Sequence, residues 1–147
     1  MTQKETLTLP QRLHGLVRFL PQFEEPSFRF GHWEETKEIT PGVLTMPYFS
    51  FSAVASKFIR AAYGLGWVRL DFDWPAWAQT PEAVQLRDDA GALSRATPEQ
   101  LSWVLTAVAR QDRFCEGALA DAFESGLITA ICRRAAQLES EVDGGMA

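Results

Sequence analysis

Charged side chains set inside an apolar helical pattern restrict this chain more than any other feature. Arg110, Asp112, Arg113 and Glu116 interrupt a run that otherwise repeats at helical spacing through Gly126. At 100° per residue, Cys115, Leu119, Ala122 and Phe123 fall on one apolar arc, with Glu116 at its edge. A half-buried carboxylate costs free energy unless it is paired. Arg113 lies three residues back on the same face, and Arg110 one further turn away. Two readings follow. Arg113, Glu116 and Cys115 form a candidate anion or acid/base site, with Arg110 as a further ligand group, or the same charges form an ion pair that pins two helices. Cys115 also reads as a small core hydrophobe.

The stretch before it sets the helix that carries these residues. Thr97-Pro98-Glu99-Gln100 combines an N-cap threonine, proline at the first helical position and glutamine three residues after the cap. Leu101, Val104, Leu105 and Val108 give that helix its buried stripe. Unbroken, the helix would bring Asp112 into the stripe. The sequence therefore predicts a break at Asp112, with its carboxylate capping a second helix; the alternative is a continuous helix in which Asp112 pairs with Arg110 or Arg113.

Upstream, residues 1 to 8 read as frayed, and an amphipathic helix from about Pro10 uses Leu13, Leu16, Val17, Leu20 and Phe23, ending or kinking near Pro21. His14 reads as a surface or boundary histidine. Between Ser27 and Ser52, Phe28 and Phe30 alternate with Arg29 and Gly31, and Pro41-Gly42 precedes Val43 to Phe49, which together predict a β-hairpin whose second strand ends or lies at an edge near Pro47. Ser52 caps a helix with Val54, Ala55, Phe58, Ile59 and Ala62 inward, closed by Gly64 and Gly66. Val68, Leu70, Phe72 and Trp74 alternate with polar residues and predict a third strand. Asp71 and Asp73 would share a face of it, as a divalent-metal pair or as solvated charge beside Arg69. Trp74-Pro-Ala-Trp77 reads as a tight corner whose indoles fill a core edge or stack on a ligand. A short helix over Pro81 to Arg87 and a polar loop to residue 96 follow. The last helix takes Leu127, Ile128, Ile131, Ala135 and Leu138 inward, Arg133 and Arg134 outward, and leaves residues 141 to 147 as a loose tail.

A chain of 147 residues suits one domain, here residues 9 to 140, and its 46% hydrophobic and 22% charged content is that of a globular protein. The expected fold is α+β and mainly helical, with a small antiparallel sheet of about three strands. A net charge of −5 disfavours phosphate backbones as partners. The two cysteines and two histidines lack metal-ligand spacing, so neither a metal nor another cofactor is expected. Without a signal peptide or a long apolar run, the sequence reads as cytoplasmic with no membrane partner.

Met46-Pro-Tyr48, Phe72-Asp-Trp-Pro-Ala-Trp77, Arg110-Gln-Asp-Arg-Phe-Cys-Glu-Gly117 and Phe123-Glu-Ser-Gly126 together resemble a family of small bacterial proteins known only as a domain of unknown function, from the first helix to about Leu138. The resemblance implies no activity and no site residue. No Walker A, GxSxG or HExxH pattern occurs, and five tryptophans suit partner contacts, so the leading expectation is a non-enzymatic interaction or regulatory module, binding another protein or itself as a dimer. One alternative is a protein or enzyme binding a small anion or nucleotide through Arg110, Arg113 and Glu116, with Trp74 and Trp77 as stacking surfaces. A second is an acidic inhibitor of a nucleic-acid enzyme.

Overall fold

Local signals start most of the elements. In the computed structural model, which describes residues 7–34, 38–44, 48–112 and 117–144, Thr8 caps α1 (Leu9–Val17) in a capping box with Gln11. Thr8 is thus fixed in place rather than frayed. The first helix ends at Val17, shortly before Pro21 as expected, and Pro21 sits in the first turn of a separate short helix, α2 (Leu20–Phe23), where proline needs no N–H partner. Ser52 caps α3 (Ala53–Gly64), as its sequence predicts.

The hairpin region is built from four short strands: β1 (Gly31–Glu34), β2 (Glu38–Thr40), β3 (Val43–Leu44) and β4 (Tyr48–Phe51). They form two antiparallel pairs, β1 with β4 in the register Gly31 to Phe51, and β2 with β3 around the Pro41-Gly42 turn. The alternating Phe28 and Phe30 precede the ladder instead of forming it. Their rings turn together onto the core, 5.1 Å apart. Pro47 lies outside the described residues.

No third strand exists at Val68 to Trp74, which corrects the clearest period-two pattern in the sequence. The backbone there finds its partners in side chains and turns instead of a ladder. Trp67 and Val68 N–H donate to the Ala62 carbonyl at 2.9 and 3.0 Å, Arg69 N–H donates to Thr106 Oγ1 at 2.9 Å, and the Trp67 carbonyl accepts from Ser102 Oγ at 2.6 Å. Burial breaks the alternation as well: Trp67 and Val68 are both buried, while Leu70 is 77% exposed. Asp71 and Asp73 therefore share no strand face. Asp71 pairs with Arg69, and Asp73 Oδ1 accepts the Ala76 N–H to start α4 (Trp74–Ala78), a short helix where a corner was expected.

Three further helices follow: α5 (Pro81–Asp88), α6 (Ala90–Leu93) and α7 (Pro98–Gln111). α6 occupies the stretch read as loop, and Asp89 Oδ1 caps it through the Gly91 N–H. Thr97 and Gln100 make the expected capping box of α7. The predicted break is present. Asp112 ends α7, and its Oδ1 accepts the Leu119 N–H at 3.1 Å, capping α8 (Ala118–Glu124) from seven residues upstream.

Gly117 opens α8 at φ +97°, and a Cβ there would stand 3.2 Å from the Trp33 ring. Gly117→Ala is expected to cost about 1–2 kcal/mol, from the left-handed backbone and the displaced indole. A urea titration showing no shift in midpoint would contradict this.

Gly126, at φ +89°, turns the chain into α9 (Leu127–Gly144), which takes in the first residues of the stretch read as a loose tail; residues 145–147 lie outside the described residues. α9 packs on α1, α2, α6, α7 and α8, and its Ile128, Ile131, Cys132 and Ala135 are fully buried. Arg134 is not simply outward; its Nε donates to the Ala96 carbonyl at 2.8 Å, tying α9 to the start of α7. The architecture is a mainly helical α+β domain with α9 at its centre. Phenylalanines 19, 23, 28, 30, 51, 58 and 123 form a contiguous ring cluster that joins α2, the hairpin base, α3 and α8.

Candidate functional site: a surface trough over α5, α7 and α8

The loop between α3 and α4 positions the first part of this surface. Arg12 and Trp67 hold the loop's start: the indole Nε1 donates to the Arg12 carbonyl at 3.0 Å, while the Arg12 guanidinium lies 4.5 Å over the indole and donates to the Leu65 and Gly66 carbonyls. Burial, and then the charge of Arg69, hold the Arg12 pKa below its ordinary value. Arg110 fastens the other end. Its Nη1 points to the Arg69 and Leu70 carbonyls at 3.4 and 3.3 Å. This candidate ligand group is thus directed at backbone oxygen. Arg113, Cys115 and Glu116, the rest of the candidate anion or acid/base site, lie outside the described residues.

Held this way, the loop delivers Phe72 to the face of α7. Phe72 stacks on Trp103 with ring centroids 5.8 Å apart and planes 15° from parallel, and Trp77 closes the group at 5.9 and 5.8 Å from the other two. All three rings are half-buried. Trp77 Nε1 donates to Glu82 Oε1 at 2.8 Å, which fixes a carboxylate at the indole edge. Trp74, the other candidate stacking residue, is half-buried at the start of α4.

Beyond Trp77 the surface falls into a narrow crevice of about 30 Å³ between α5 and α7, and then into an open groove of about 450 Å³ that reaches α8. Arg87, Val108 and Gln111 line both, so the two adjoin along these side chains and are described together as one trough. Its apolar end is at Trp77, and its far end carries Asp121 and Ser125. Arg87 Nε lies 3.2 Å from Asp88 Oδ1, and the Ser125 hydroxyl donates to the Ala122 carbonyl at 3.3 Å.

The match of the chain to a family of unknown function, DUF6508, runs over residues 8–141. The chain belongs to that family. The resemblance to a domain of unknown function drawn from the sequence is thereby borne out, and membership of DUF6508 assigns no activity to the trough. No curated protein and no solved structure matches the chain.

Sequence reasoning missed the trough residues of this DUF6508 chain. None of Arg87, Gln111, Asp121 and Ser125 is singled out by the sequence as a site residue, and only Asp121 carries a weak signal, as a charge facing away from the apolar arc of Leu119 and Phe123. Other suspected groups are accounted for by their neighbours. His14 Nδ1 sits 3.2 Å from Glu139 Oε2 on the surface. Cys132 is fully buried, and burial followed by the Glu24 carboxylate drives its thiol pKa upward, which favours the inert thiol. Among the described residues, no cluster of three or more His, Cys, Asp or Glu could hold a metal ion, and no helix is long and apolar enough to cross a membrane.

Proposed function

We propose that this chain is a non-enzymatic interaction module that seats a segment of a partner protein in the trough over α5, α7 and α8. One observation carries the reading: the aromatic shelf at Trp77 and the groove beside α8 share Arg87, Val108 and Gln111, giving a continuous open channel instead of an enclosed pocket. A channel of that form suits several successive side chains of a segment, with aromatic anchoring at one end and polar groups at the other. Against a catalytic role, Ser125 spends its hydroxyl on a carbonyl and Arg87 is engaged by Asp88. Among the described residues, Asp88 and Asp121 outnumber Arg87 along the groove, which does not favour a small anion there.

Gln111 is exposed at the junction, so Gln111→Trp fills the channel with little effect on the fold. Cross-linking and affinity capture in cells of the source organism should recover a partner with the unmodified chain and with Val43→Thr, a change on the distant hairpin, and lose it with Gln111→Trp. Thermal melts of the three should agree within about 2 °C. A partner retained by Gln111→Trp, or recovery of nothing but the chain itself, would count against the reading.

A further inference from the structure

We infer that the occupant of the trough is a protein segment bearing lysine or arginine. The inference rests on the interaction reading above and adds the chemistry of the partner. Among the described residues, Asp88 and Asp121 line the channel and Glu82 stands beside it, three carboxylates against one lining guanidinium, Arg87. Arg87 and Asp88 neutralise each other at 3.2 Å, leaving Glu82 at the aromatic end and Asp121 at the other. Glu82 uses Oε1 for the Trp77 indole, so its carboxylate is held at the edge of a half-buried ring. An indole face with a carboxylate fixed at its rim offers a guanidinium or ammonium a cation–π surface and a counter-charge together. Asp121 is exposed and, among the described residues, meets no cation. A cationic side chain at each end of a bound segment would satisfy both acids, while an acidic segment would face like charge at both. The chain's net charge of −5 acts in the same direction at long range.

Selection of short random peptides on the intact protein, with parallel selection on Gln111→Trp, tests this. Peptides that depend on Gln111 should be enriched in lysine and arginine over the starting library, and Asp121→Arg should weaken a selected peptide by about tenfold or more, an effect that shrinks at high salt. If the Gln111-dependent peptides are neutral or acidic, or Asp121→Arg leaves affinity unchanged, the cationic partner is ruled out while the trough stands as a binding surface. If no peptide depends on Gln111, the trough and its occupant fall together.

Discussion

Truncation of Trp67 to alanine is expected to destabilise the protein by about 3–5 kcal/mol, the range for removing a fully buried large aromatic. Trp67 is 0% exposed and serves three partners at once. Its ring carries the Arg12 guanidinium, its indole N–H satisfies the Arg12 carbonyl, and its own carbonyl takes the Ser102 hydroxyl of α7. Loss of the ring leaves a cavity and a partly buried guanidinium without its aromatic neighbour. Against a total stability of about 5–15 kcal/mol, the loss amounts to a melting temperature lower by roughly 10–15 °C or to an unfolded chain. Trp67→Phe keeps most of the buried area and loses the indole hydrogen bond, so it should cost only about 1–2 kcal/mol. Equal losses for the two variants in chemical denaturation would show that the hydrogen bond, not the packing, holds the loop.

Phe123→Ala should cost about as much, roughly 3–5 kcal/mol, by a different route. The Phe123 ring, 0% exposed, lies 5.1 Å from Phe30, 5.8 Å from Phe51, and 5.9 Å from both Phe23 and Phe58. It is where the hairpin base, α2 and α3 meet α8. A two-stranded ladder is marginal by itself in water, so β1 and β4 depend on this contact. Amide exchange in Gly31–Glu34 and Tyr48–Phe51 should therefore accelerate more than exchange in α9. A double-mutant cycle with Phe30→Ala should return a coupling of about 0.5–1.5 kcal/mol, the worth of a ring pair beyond its burial. Uniform acceleration across the chain with no coupling would reduce Phe123 to ordinary filler.

Both positions bear on the trough. Trp67 secures the loop that brings Phe72 onto Trp103, and Phe123 anchors the buried face of the helix whose other face bears Asp121. Milder variants at these sites are expected to weaken partner binding through position rather than contact. Trp67→Phe should then reduce binding less than Gln111→Trp, even though it costs more stability.

The sequence by itself determined where most helices begin and what they bury. Caps at Ser52 and Thr97, the glycine turn at Gly126 and the apolar stripes of α3, α7 and α9 are short-range features, decided by backbone hydrogen bonding and side-chain spacing within a few residues. The break at Asp112 was legible for the same reason, since a carboxylate in the middle of an apolar stripe is better placed accepting backbone N–H groups. Tertiary structure alone decided the fate of Val68 to Trp74, whose alternation matched a strand although no neighbouring ladder exists. Thr106 and Arg110 of α7 satisfy that backbone, and Ser102 the Trp67 carbonyl just before it, from more than thirty residues away in sequence. It decided the trough as well. Trp77, Arg87, Gln111 and Asp121 lie on four different helices, and solvated residues reveal nothing about one another until the packing of apolar faces on their opposite sides brings those helices together.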